Sequence, residues 1–288
     1  MMRENRLEKY LASEQIERLS LEALQMTYAR YIALGEKGTD EVQKNQFGEI
    51  ALKMDVEAER VIIDTFDEAQ LAIRIISEEH GVVDLSDNPL YLGILDGLDG
   101  SNEYKKDRLH GRCGTMFGIF LGTDPVYDDY LFGGVMEHST GRLFFASRGK
   151  GAWVFENGRR IPIKCSDARS FNRQTRIYID DAGTFDVTRR IFEKLAGYNT
   201  KPHISSAANY VDLASGQSDL VVECTRKGNL EIAVAYGLVT EAQGIMVTRD
   251  GKNIGRKKYL EFGQNENVSI IGAASEKLAD NFVKYLNT

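Results

Sequence analysis

Asp96 and Asp99 stand three residues apart in Asp96-Gly97-Leu98-Asp99-Gly100-Ser101, with a glycine and a hydroxyl directly behind them. Two carboxylates delivered to one place are costly to bury unless something positive sits there. A hard divalent cation such as Mg²⁺ suits them, because it takes oxygen ligands, often carboxylates together with a substrate phosphate. Gly100 and Ser101 read as a turn feeding a helix, where free N–H groups suit an anion. Asp55, Glu78 and Glu231 also stand where elements are expected to begin or end. Singly, each has a plainer reading. Asp55 is a favoured helix cap, Glu78 with Glu79 makes an ordinary solvated loop, and Glu231 in a first helical turn complements the dipole.

The elements that must position these acids follow from periodicity. Tyr91 to Leu95 reads as a buried strand ending on the acidic pair, and Leu71 to Ile76 as a strand delivering Ser77-Glu78-Glu79. Gln46 to Met54 reads as a strand leading to Asp55, and a helix follows through Val61, Ile62 and Phe66. Leu230 to Ala242 reads as an apolar helix opened by Glu231 and ended by Gly244. A long helix over Leu7 to Leu34, closed by Gly35, comes before them; Glu36 to Asn45 and His80 to Pro89 read as polar connections. Residues 115 to 155 are mostly β in pattern, and Asn157-Gly158 is a strong hairpin signal. Beyond Ile163 helices and strands alternate: strands at Arg176–Ile179, Leu220–Glu223, Ile245–Thr248 and Val268–Ile271, helices at Phe185–Leu195 and Ser206–Ala214, and a last helix capped by Ser275. We therefore expect an α+β half over residues 1–163, holding most of the acids, and an α/β half over 164–288.

Composition narrows the class. A chain of 288 residues, 42% hydrophobic and 27% charged, can build a full core. A net charge of −7 argues against nucleic acid, and an acidic protein handling an anionic substrate needs cations to offset repulsion. The three cysteines, Cys113, Cys165 and Cys224, form neither a disulfide framework nor a zinc pattern and fit a reducing cytoplasm. The charged start of the chain and the lack of a long apolar run argue against a signal segment or a membrane span.

Taken together, the ordered motifs resemble the inositol monophosphatase family, part of the wider group of lithium-sensitive, magnesium-dependent phosphatases that includes fructose-1,6-bisphosphatase. The family's Asp-Pro-Ile-Asp-Gly-Thr signature matches Asp96 to Ser101, and its Trp-Asp-x-Ala-Ala-Gly then Glu-Ala-Gly-Gly signature matches Leu230-Glu231-Ile232-Ala233-Val234-Ala235 then Glu241-Ala242-Gln243-Gly244. Gly151-Ala152-Trp153, Asn157-Gly158 and Ser205-Ser206-Ala207-Ala208 are similar to further family segments, so the likeness runs from about Leu52 to Ala274. Three departures stand out. Gly97 replaces proline and is expected to loosen the turn, Ser101 replaces threonine, and Glu231 replaces aspartate with one more methylene.

The resemblance implies a layered αβαβα sandwich with the active site between its halves, two or three Mg²⁺ ions and a homodimer. It implies that Glu78, Asp96 and the Leu98 carbonyl hold a first ion. Asp96, Asp99 and Glu231 would hold a second, and Glu78 with Asp55 would flank a weaker third. It also implies that the phosphate lies on Gly100 and Ser101, and that Ser206, Ala207 and Glu223 line the substrate side. A water activated by the ions, oriented by Ser101 with Asp55 and Glu78 nearby, would attack phosphorus without a covalent phosphoenzyme. The implied partner is a small phosphate ester, inositol 1-phosphate or a related sugar phosphate, with fructose 1,6-bisphosphate as the alternative.

Other classes fit less well. An aspartyl-phosphate phosphatase wants Asp-x-Asp, and the spacing here is Asp-x-x-Asp. An EF-hand loop needs Gly at position six and Glu at twelve, which fails in both registers. A catalytically silent inositol-phosphate-binding regulator remains open because of Glu231.

Overall fold

The computed structural model describes residues 2–179 and 186–288. Helix α1 (Met2–Leu34) is followed by a ribbon of β1 (Glu41–Lys44) and β2 (Ile50–Leu52), and then by α2 (Lys53–Glu68). Next come β3 (Ile73–Ser77), β4 (Gly81–Asp84), β5 (Tyr91–Asp99), the short α3 (Ser101–Lys106) and β6 (Gly114–Leu121). Strands β7 (Tyr130–Glu137), β8 (Arg142–Ser147), β9 (Ala152–Glu156) and β10 (Arg159–Ile163) complete an eight-stranded sheet of order β10-β9-β8-β7-β6-β5-β3-β4. Its pairings are antiparallel except for β3 with β5. The rest of the chain supplies β11 (Ile177–Ile179), α4 (Asp186–Lys194), β12 (Thr200–Pro202), α5 (Ser206–Ala214) and β13 (Leu220–Cys224). Helix α6 (Leu230–Glu241), β14 (Ile245–Thr248), β15 (Ser269–Ala273) and α7 (Glu276–Leu286) follow, and a second, five-stranded sheet runs β12-β11-β13-β15-β14.

The layers alternate as expected, αβαβα. Helices α1 and α2 cover one face of the large sheet over an apolar cluster that includes Leu24, Ile62, Phe66, Phe117 and Phe132. Helices α5 and α6 fill the space between the sheets, where Leu213, Val234 and Leu238 join the larger cluster. Helices α4 and α7 pack on the small sheet. Nearly every α6 residue is buried, which is why its sequence is apolar all round rather than striped. Among the described residues no helix is long and apolar enough to cross a membrane.

Several local expectations are corrected. The segment Gln46 to Met54 is extended only at Ile50–Leu52, and helix α2 has already begun at Lys53. Strand β1 lies in what reads as a polar loop, because all four of its residues face solvent and carry no alternation. The polar connection after His80 contains the edge strand β4, whose Val82 is exposed. The buried strand β5 continues past Leu95 through both acids to Asp99. Phe185 lies outside the described residues, and α4 is described from Asp186. The Asn157-Gly158 hairpin is as expected, with φ of 51° and 74° and strand partners Glu156 and Arg159.

Candidate active site

Strand side chains alternate, so residues three apart should point to opposite faces. Asp96 and Asp99 escape this because β5 is bulged between them. Asp96 pairs with Met116 and Asp99 with Gly114, which leaves one more residue on β5 than on β6. Such a bulge re-aims a side chain, and here it brings the two acids together. The Leu98 N–H donates to Asp96 Oδ1 at 3.0 Å, and the Thr115 hydroxyl donates to the Gly97 carbonyl at 2.8 Å, so the bulge is tied down on both sides.

Gly97 does not loosen this turn. A Cβ there would fall 2.2 Å from the Asp55 carbonyl oxygen and 2.8 Å from Glu59 Cγ. Its lack of a side chain lets helix α2 press directly on the bulge, a contact that a proline ring would block.

Helix α6 enters from the middle layer with Glu231 in its first turn. One carboxylate oxygen each from Asp96, Asp99 and Glu231 lies within 4.8 Å of the others, and all three residues are buried. Burial pushes the Glu231 carboxyl up to about 8, and Glu223, Asp99 and Glu78 add to this while Arg226 opposes it. Three acids this close cannot all ionise comfortably without a cation. The donor set is oxygen only, so these residues fit a hard divalent ion such as Mg²⁺.

Glu78 follows β3, and its N–H donates to Leu95 O at 3.2 Å, which sets it alongside the start of the acidic motif. Its Oε1 accepts from Asn45 Nδ2 at 3.2 Å. Asp55, in the first turn of α2, accepts from Leu52 N at 2.7 Å, and burial holds its pKa well above the usual carboxylate range with Glu79, Glu78 and Glu59 adding to the rise. It thus caps its helix and also faces the acids. Leu98 is buried within the bulge.

Gly100 and Ser101 line a cavity of about 430 Å³ together with Asp99, Asn102, Ser205 and Glu231. Ala207 N donates to Asp99 Oδ2 at 2.6 Å, so the start of α5 is fastened to the end of β5. Ser206 Oγ donates to Glu223 Oε1 at 2.5 Å, and Glu223 is buried behind the cavity wall.

Four residues escaped the sequence reading. Glu59 is fully buried and accepts from the Ser77 hydroxyl and from the N–H groups of Glu78, Glu79 and His80. Its spacing of four from Asp55 on one helix was the available signal. Its bond to His80 Nδ1 holds that histidine's pKa up. Asn45 holds Glu78 from an unexpected turn after β1. Arg226 and His203 line the cavity, and a lone arginine in a loop and an isolated histidine carry no pattern to find.

The family model described as "Inositol monophosphatase family" matches residues 9–287. The chain belongs to the inositol monophosphatase family. Among curated family relatives, the bifunctional NADP phosphatase/NAD kinase of Methanococcus maripaludis is 25% identical over 251 residues. That match takes in 82% of this chain and 43% of the relative, so the chain spans less than half of that protein's length. The fructose-1,6-bisphosphatase/inositol-1-monophosphatase of Methanothermobacter thermautotrophicus is 26% identical over 210 residues, covering 70% of this chain and 72% of that one. Among solved structures, the extragenic suppressor protein suhB of Bartonella henselae superposes with a TM-score of 0.75 at 15% identity, covering 95% and 99% of the two chains. At that identity the likeness establishes the inositol monophosphatase fold alone.

Proposed function

We propose that this chain is a Mg²⁺-dependent phosphomonoesterase acting on inositol 1-phosphate or a related sugar phosphate. The observation that carries the reading is the convergence of Asp96, Asp99 and Glu231, from two separate layers, to within 4.8 Å beside a polar cavity. The phosphatase activities for which its relatives are named support the reaction class.

In this reading Glu78, Asp96 and the Leu98 carbonyl would hold one ion, Asp96, Asp99 and Glu231 would hold a second, and Glu78 with Asp55 would flank a third. When bound, such ions supply a water of lowered pKa and offset charge on the phosphate and leaving oxygens. The chain does the rest. The Gly100 and Ser101 N–H groups hold phosphate oxygens, and the Ser101 hydroxyl orients the attacking water. Asp55 stands behind that water to take its proton, with Glu78 beside it. Ser206, Ala207 and Glu223 shape the leaving-group side, with residues 1–163 and 164–288 closing on the substrate from either side. The reading extends to a homodimer, which the family resemblance suggests, and to the cytoplasm, which the three scattered cysteines fit.

Phosphate release from inositol 1-phosphate, fructose 1,6-bisphosphate and NADP⁺ at millimolar Mg²⁺ tests this directly. Release that stops with chelator and returns with Mg²⁺ is the expected result. No turnover with any of these esters would instead favour a silent binding protein.

A further inference from the structure

His138, directly after β7, is 1% exposed, and its Nδ1 has no hydrogen-bond partner among the described residues. Its ring lies nearly parallel to that of Tyr31 from α1, with centroids 4.9 Å apart, and to that of Tyr28 at 6.5 Å. Burial holds its pKa down to about 3, with the Glu137 charge opposing. An uncharged imidazole with one nitrogen unsatisfied is a costly occupant for a packed position that an apolar ring could fill. Its other nitrogen shows what the imidazole adds: Nε2 lies 3.0 Å from Thr115 Oγ on β6.

The hydroxyl settles which ring nitrogen carries the proton. Thr115 Oγ has a single proton to give, and it donates to the Gly97 carbonyl at 2.8 Å. Its contact with His138 therefore needs an N–H on Nε2. The opposite tautomer would draw the hydroxyl proton away from Gly97 and leave a buried Nδ1–H without an acceptor, an arrangement that folded proteins rarely keep. The chain of donors then continues in one direction. The Gly97 carbonyl and the Leu98 N–H belong to one planar peptide unit, and that N–H donates to Asp96 Oδ1 at 3.0 Å. Each donor thus points towards Asp96, from the imidazole through the hydroxyl and the peptide to the carboxylate. Hydrogen bonds aligned in this way polarise and strengthen one another.

We propose that His138, as the tautomer protonated on Nε2, is a positioning residue for the candidate metal centre: it heads a one-way chain of hydrogen bonds that fixes the Gly97–Leu98 peptide inside the β5 bulge and so aims the Asp96 carboxylate. The proposal rests on the phosphatase reading for the use made of the centre, but not for the chain itself.

Two measurements test it. The chain holds four histidines, so ¹⁵N NMR of the histidine-labelled protein resolves each ring. His138 should show a protonated Nε2 and a bare Nδ1; a protonated Nδ1, or a charged ring, would overturn the proposal. Mn²⁺ affinity, read by electron paramagnetic resonance without substrate, is the second. His138→Phe keeps a ring and loses the donor, and Thr115→Val keeps the shape and loses the hydroxyl. Both should weaken Mn²⁺ binding by about tenfold, as loss of an outer partner does. His138→Gln, whose amide places an N–H close to Nε2, should recover most of that loss. Wild-type affinity in Thr115→Val or His138→Phe would overturn the proposal, and so would an equal loss in His138→Phe and His138→Gln, which would assign the effect to packing. If His138→Phe does not fold, Thr115→Val and the wild-type ring spectrum decide. If no ester is cleaved, the phosphatase reading falls separately, and the tautomer and Mn²⁺ affinities still decide this one. Absent Mn²⁺ binding in the wild type would refute both.

Discussion

Asp96 is the residue on which the site turns, since it stands in both proposed ion positions. Asp96→Asn removes one charge and leaves the side chain's volume, so the fold should survive while Mg²⁺-dependent phosphate release falls to background. Near-normal turnover with an unchanged melting temperature would contradict the shared role. Glu231 stands where the family has aspartate, and its longer side chain brings its carboxylate to within 4.8 Å of the other two acids. Glu231→Asp draws the carboxylate back and should raise the Mg²⁺ concentration needed for half-activation; an unchanged requirement would mean the methylene is idle. Glu59 acts one step further out, by holding the N–H groups that present Glu78. Outer partners of this kind change metal affinity by about 10–100-fold. Glu59→Gln should therefore raise the Mg²⁺ requirement while kcat at saturating Mg²⁺ changes little. A fall in melting temperature with no change in Mg²⁺ requirement would assign Glu59 a purely structural role. The acids themselves were legible because their spacing in the chain is part of a recognisable order. Glu59 was not, because a glutamate inside an amphipathic helix reads as a solvated face.

At the scale of elements, the bulge in β5 does what the spacing alone cannot. Nothing in Gly97-Leu98 announces that one residue will be left over against β6, yet without it the two aspartates would face apart. Gly97 carried a signal that pointed the wrong way, since the absence of proline suggested slack where the structure has close contact. Gly97→Ala should place a methyl against the Asp55 carbonyl oxygen and destabilise the fold by about 1–3 kcal/mol. Thermal or denaturant unfolding checks this, and a variant as stable as the wild type would show that α2 can retreat. The long elements were readable, α1 from its recurring apolar residues, and α6 and the central strands from their sustained apolar runs. Strand β1 was not, because its four exposed residues show no apolar alternation, whereas β2 falls inside the longer strand expected over Gln46 to Met54.

At the scale of the whole molecule, the layers bring distant acids together and fasten them there. Arg112, just before β6, donates to Glu137 of β7 at 2.6 Å and to Asp212 of α5 at 2.8 Å, tying the large sheet to the middle helices beside the cavity. Concentrating acids there has a consequence for stability. Burial raises Asp55 and Glu231, the latter to about 8, and Glu79 rises to about 7 from the same cause. These groups hold protons more tightly folded than unfolded. Without metal, stability should therefore fall as pH climbs from the ordinary carboxylate range, about 4.5, through about 8. Melting curves in chelator should show that decline, and added Mg²⁺ should raise the melting temperature more at pH 8.5 than at pH 5.5. A metal-independent, flat profile would contradict the clustered acids.

The most direct measurement is anomalous diffraction from crystals equilibrated with Mn²⁺ as a stand-in for Mg²⁺. The account predicts a peak bound jointly by Asp96, Asp99 and Glu231, and a second beside Glu78 and Asp96. Peaks confined to exposed surface acids, with none at this cluster, would contradict it.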